Sequence, residues 1–195
     1  MWRTEEAPEL AARYLGDLGS RWDHVENVGR LADWMVAEVA LSPEIAVAAW
    51  LHDIGYAPVL ADTGFHPVDG ASFLADEGAS DRVVSLVAHH TGARFEAEER
   101  GLERDLDQFA VPEPDDLDTL TLLDLVSSPT GAITTPRERI DEILTRYPES
   151  HPVHRAITRS RPELLASASR ARVRLGLSDV WPAGVLERVG EPQPH

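Results

Sequence analysis

Two stretches carry residue types and spacings that could do chemistry, Trp50-Leu51-His52-Asp53-Ile54-Gly55 and His89-His90-Thr91-Gly92, and each follows an apolar run. The first reads as the last turns of a buried helix, with Ile45, Val47, Ala48, Ala49, Trp50 and Leu51 behind it and Gly55 as its left-handed stop. Neighbouring helical residues point about 100° apart, so His52 and Asp53 can offer an imidazole nitrogen and a carboxylate to one metal. A helix-end histidine with a capping aspartate is the structural alternative. The second stretch repeats the design with two adjacent imidazoles and a glycine stop at Gly92. Two imidazoles buried without partners are costly, so they need hydrogen bonds, water or a metal. Asp124 lies among Leu122, Leu123, Leu125 and Val126. A carboxylate there requires an arginine, hydrogen bonds or a metal, or it becomes neutral.

The elements that must position these residues are helical throughout. Apolar spacing predicts helices from Pro8 to Leu18 and from about Asp23 to Val39, the latter with His24 in its first turn. Ser42-Pro43-Glu44, a serine cap with proline at the first position, launches the helix that ends in His52-Asp53. Tyr56 to His66 is a loop, and a helix begins at Pro67 with His66 at its N-terminal edge. Arg94 to Leu106 reads as a charged helix with its glutamates facing water. A core helix from Leu117 to Val126, a turn at Ser127 to Gly131 and a helix from Thr135-Pro136 follow. A long arginine-rich helix from Val153 to about Leu175 is kinked or restarted at Pro162, and the tail from Gly184 frays. His151, His154 and His195 fit no spacing and read as surface residues.

Composition removes several kinds of chemistry. The 195 residues contain no cysteine, which excludes thiolate metal sites and cysteine nucleophiles. All 18 basic residues are arginine, so lysine-based catalysis is excluded as well. A formal charge of −16 argues against duplex nucleic acid as a partner. No apolar run is long enough to span a membrane, and the N-terminus lacks the order of a secretory signal, so the expected location is the cytoplasm. The oligomeric state stays open.

In chain order the candidate residues run His24, His52-Asp53, His66, His89-His90 and Asp124. That pattern, with WLHDIG at its centre and HHTG beyond, resembles the HD-domain superfamily of metal-dependent phosphohydrolases, over about Arg21 to Gly131. The resemblance implies an all-α helical bundle, with residues 1–131 as the core and 132–195 as a helical extension on the same domain. It is closest to the subgroup with a two-metal centre. It implies that His24, His52, Asp53 and Asp124 hold one divalent ion while Asp53 bridges to a second held by His66, His89 and His90. Iron or manganese suits this thiolate-free set. Asp53 and His52 would stand at the catalytic centre, where a hydroxide between the metals attacks a small phosphate ester or anhydride, a nucleotide or dinucleoside polyphosphate. Arg94 and Arg21 would meet substrate phosphate near the mouth, or stand as surface arginines. Two other readings are a di-iron oxygenase, which the doubled His89-His90 disfavours, and a non-catalytic nucleotide-binding module. Nothing after Gly131 reads as carrying chemistry.

Overall fold

Seven consecutive buried residues, Ile45 to Leu51, make α3 (Pro43–Leu51) the centre of the fold. A helix apolar on every side needs neighbours on every side. They are α1 (Ala7–Leu15), α2 (Ser20–Val39), α5 (Asp81–His89) and α8 (Pro114–Leu125), all packed directly against it. The computed structural model describes residues 4–183 and 185, and among them there is no strand beyond one isolated bridge between Ser127 and Ile133. The protein is an all-α bundle. Helix α4 (His66–Asp76) lies on α5, and α6 (Ala93–Arg100) and α7 (Glu103–Leu106) follow. Beyond α8 come α9 (Pro136–Arg146), opened by a Thr135–Glu138 capping box, and α10 (Pro152–Arg174), which lies along α6, α8 and α9. Among the described residues no helix is long and apolar enough to cross a membrane.

Three of these helices share a direction. Near the start of α5, Arg82 donates bidentately to Asp116 at the start of α8, at 2.7 and 2.9 Å, and also to Ser42 and Glu44 at the start of α3. The N-terminal ends of α3, α5 and α8 are therefore tied together, so their C-terminal ends, which carry His52-Asp53, His90 and Asp124, emerge on the same side. Ser42 does not cap α3 with its side chain, as the sequence suggests; its hydroxyl is taken by Arg82.

Two glycines set how closely the site-bearing elements approach. A Cβ at Gly29 of α2 would lie 2.1 Å from the Trp50 ring, so its absence lets α2 settle on α3. The indole then donates to Asp33 at 3.0 Å, fixing the register that places His24. Gly55 is not a left-handed helix stop: α3 ends at Leu51, and Gly55 lies in a 3₁₀ turn, Ile54–Tyr56, outside the residues with positive φ. Its role is contact. A Cβ there would fall 2.1 Å from the carbonyl oxygen of His66 and 2.6 Å from the backbone nitrogen of Gly70.

Other departures have local causes. Helix α1 stops at Leu15 instead of Leu18, and the expected helix from Arg94 to Leu106 is broken at Gly101, which takes φ 72°. Pro162 does not restart α10, which runs unbroken through it; the proline and Thr158, the residue one turn earlier whose carbonyl it leaves without a donor, are both exposed. Glu99 meets Arg155 and Arg159 of α10 instead of open solvent. His151 and His154 are half-buried, one capping α10 through Val153 N–H and the other bonded to the carbonyl of Tyr147. His195 and most of the tail from Gly184 lie outside the described residues.

Replacing Gly55 with alanine should force the start of α4 away from α3 and cost about 1–3 kcal/mol. Thermal unfolding should fall by several degrees, roughly 2–4 °C per kcal/mol for a chain of this size; an unchanged midpoint would contradict the close contact. A second prediction concerns Asp118, a buried carboxylate on α8 that receives two hydrogen bonds from Arg170 of α10, at 2.6 and 2.7 Å. Burial opposes its ionisation, but the bonds from Arg170 and Ser167 prevail and hold its pKa below the usual value. A depressed carboxylate contributes stability above its unfolded pKa, about 3.9, which is lost as pH falls through the folded value. The gap in melting temperature between the wild type and Asp118→Asn should therefore be open at pH 7 and close below about pH 4. A gap of constant size would show that the pair does not stabilise the fold.

Candidate metal centre

The C-terminal turn of a helix leaves carbonyls without partners. In α3 and α5 the histidine at the end supplies one. The Nδ1–H of His52 donates to Ala49 O at 2.8 Å, and that of His90 to Val87 O at 2.6 Å. A carbonyl can only accept, so each ring is fixed with its proton on Nδ1 and, when neutral, a lone pair on Nε2. Both Nε2 atoms are aimed at Asp53.

Asp53 divides its two oxygens between two histidine pairs. Oδ2 lies 3.4 Å from His52 Nε2 and 3.9 Å from His24 Nε2, with Asp124 Oδ1 3.1 Å from His24. Oδ1 lies 3.3 Å from His66 Nε2 and 3.7 Å from His90 Nε2. Within the pairs, His24 and His52 Nε2 atoms are 3.3 Å apart, and those of His66 and His90 3.2 Å. Each trio, His24-His52-Asp53 and Asp53-His66-His90, brings one ligand atom per residue within 4.8 Å of the others. All these side chains are largely buried.

The electrostatics ask for a cation. Burial lowers the pKa of His52 to about 4, so it is neutral at pH 7 and its Nε2 lone pair faces the Asp53 carboxylate. Burial alone would raise the pKa of Asp53, but Arg21 and the surrounding imidazoles hold it well below the usual range. At Asp124, burial is likewise outweighed by His24. Both carboxylates are thus ionised. Arg21 forms an ion pair with Asp53 Oδ2, and the same carboxylate overcomes desolvation to raise the pKa of His90. Acceptor atoms crowded this closely, drawing in whatever positive charge is within reach, fit divalent metal ions with nitrogen and oxygen ligands. The three parallel helices α3, α5 and α8 all end here, and their C-terminal dipoles also favour a cation.

Six of the seven candidate ligands are brought together; His89 is not. Its Nε2 meets Phe109 O at 3.2 Å, and the ring lines a separate cleft between α5, α8 and α10. The backbone separates them: His89 is the last helical residue of α5 and turns to Phe109, whereas His90 follows the helix end at φ −57°, ψ 150° and enters the centre. Arg94 is also elsewhere, exposed and paired with Glu163 of α10 at 2.5 Å. Arg21 lies inside the site, its guanidinium 4.0 Å from the centre of the Tyr56 ring, while Tyr56 stacks on His66.

Above the cluster is a cavity of about 90 Å³ that also takes in residues not anticipated from sequence: Tyr56, Thr91, Glu96, Arg139, Arg146 and Tyr147. Glu96, expected to face water, lines this cavity and binds Arg100. Arg139 and Arg146 are seven residues apart on α9, hence on one face, which they share with the apolar Ile143. An arginine in register with a buried stripe is the signal that could have found them.

The comparisons with known proteins agree with this geometry in part. A tRNA (cytidine(56)-2'-O)-methyltransferase from Thermoplasma volcanium is 41% identical over 78 residues, 40% of this chain and 22% of that protein. A ribonuclease Y from Opitutus terrae is 34% identical over 116 residues, 55% of this chain and 22% of that protein. The chain thus spans under a quarter of the length of these relatives. No solved structure gives a significant match. The HD domain model matches residues 21–124, more than half of the chain, from the arginine against Asp53 to the carboxylate beside His24; the protein belongs to the HD domain family.

Proposed function

We propose that the protein is a metal-dependent phosphohydrolase acting on a small phosphate ester or anhydride, with a nucleotide as the favoured class. The observation that carries this reading is Asp53, whose two oxygens face separate histidine pairs. His24, His52, Asp53 and Asp124 would hold one divalent ion and Asp53, His66 and His90 a second, with iron or manganese suited to such ligands. Metals bound there would lower the pKa of a water ligand and neutralise charge on an attacked phosphoryl group. Arg21 would turn from Asp53 towards a phosphate oxygen, guided by its packing on Tyr56. The name of the ribonuclease relative is in keeping with cleavage of a phosphoric ester. The charge of −16 favours a small substrate over a long polyanion.

One observation favours a second reading. With His89 turned to Phe109, the Asp53-His66-His90 trio keeps room for an exogenous ligand. The doubled histidine therefore no longer weighs against a di-iron oxygenase. The arginine-lined cavity weighs towards hydrolysis, since guanidinium groups suit phosphate oxygens. A screen of phosphate release from nucleoside mono-, di- and triphosphates and dinucleoside polyphosphates should find a substrate that is turned over without dioxygen. Asp53→Ala should reduce that turnover by more than about a hundredfold with the helical signal intact. Turnover that requires dioxygen, or that survives Asp53→Ala, would overturn the proposal.

A further inference from the structure

Helix α9 brings two arginines to the cavity over the cluster, and both grip one carboxylate. Arg146 donates to Glu142 at 2.5 and 2.6 Å through Nη2, and Arg139 Nη1 meets Glu142 Oε2. The two guanidinium groups are therefore close enough to share a single carboxylate, that of the partly exposed Glu142 one turn away from each. A salt bridge that served only to stabilise α9 would need neither the burial nor the loose ends found here. Arg139 is more than nine-tenths buried, yet its Nε has no hydrogen-bond partner, and the side chain lines the cavity. Thr91 lines the same cavity, and its hydroxyl is likewise buried without a partner, on a backbone held at φ 35°, ψ 56°, a conformation a β-branched residue rarely adopts. Two residues that line one cavity thus each carry an unmet donor, and one of them is strained; a shift of either side chain onto a bound anion would satisfy it.

We propose that Arg139 and Arg146, with Thr91 of the same cavity, form a receiving site for a second phosphate group, so that the substrate is a phosphoric anhydride such as a nucleoside diphosphate or polyphosphate. This rests on the phosphohydrolase reading of the cluster and adds to it a second anionic group, because Arg21 already serves the position at Asp53. Glu142 then acts as a competitor that the incoming phosphate displaces.

The test compares two non-hydrolysable probes that differ by one phosphonate, methylenediphosphonate and methylphosphonate, by calorimetry on the whole protein in one metal buffer. The wild type should prefer the diphosphonate by about tenfold to a hundredfold, as expected for charge-assisted hydrogen bonds. Arg146→Ala, at a partly exposed position, should remove most of that preference while leaving methylphosphonate affinity within about twofold. Glu142→Gln should strengthen diphosphonate binding, and Arg139→Lys, which keeps the charge but not the Nε donor, should weaken it. No preference in the wild type, or a preference that Arg146→Ala leaves whole, would overturn the subsite. Failure of the underlying reading is distinguishable: an Arg146-dependent preference without phosphate release from any substrate would refute the hydrolase and leave the subsite standing.

Discussion

A histidine at a helix end that bonds its own Nδ1–H to the carbonyl three residues earlier is the interaction on which the site depends. It does two things at once. It satisfies a carbonyl the helix would otherwise leave orphaned, and it fixes the tautomer that turns a lone pair towards Asp53. His52 and His90 use the same device at the ends of α3 and α5, so folding itself arms two imidazoles before any ligand arrives. The two ring nitrogens divide the work, one capping the carbonyl and the other presenting its lone pair further into the site.

The rest of the bundle brings those ends to one place. Arg82 ties the starts of α3, α5 and α8, Gly29 lets α2 close on Trp50, and Gly55 lets the start of α4 close on the end of α3. The last contact is made through the backbone of His66, which places that residue against Asp53 Oδ1. The acidic cluster is buried, so its charge must be met locally. Arg21 does so within the chain, and the same geometry suits metal ions.

The helices, with His52-Asp53, His90 and Asp124, were legible in short-range patterns, whereas His24 and His66, each unremarkable alone, entered only through the resemblance of the whole ordered set. An all-apolar α3 has to be central, and a carboxylate among leucines, as at Asp124, needs a partner. The errors arise where direction or distance matters. His89 and His90 are equivalent as letters, and only where α5 ends separates the one in the centre from the one bonded to Phe109. Gly55 looks like a helix stop because glycine often is one, whereas its need comes from α4, a separate element. Arg139 and Arg146 carry no motif, and their relation to Asp53 exists only once α9 folds back over the cavity.

In the proposed centre Asp53 joins two metal positions and His89 belongs to neither. Elemental analysis of anaerobically purified protein, reconstituted with iron or manganese, tests it most directly. The account predicts about two ions per chain in the wild type and in His89→Ala, but about one in His66→Ala. Loss of an ion in His89→Ala, or two ions retained in His66→Ala, would contradict it.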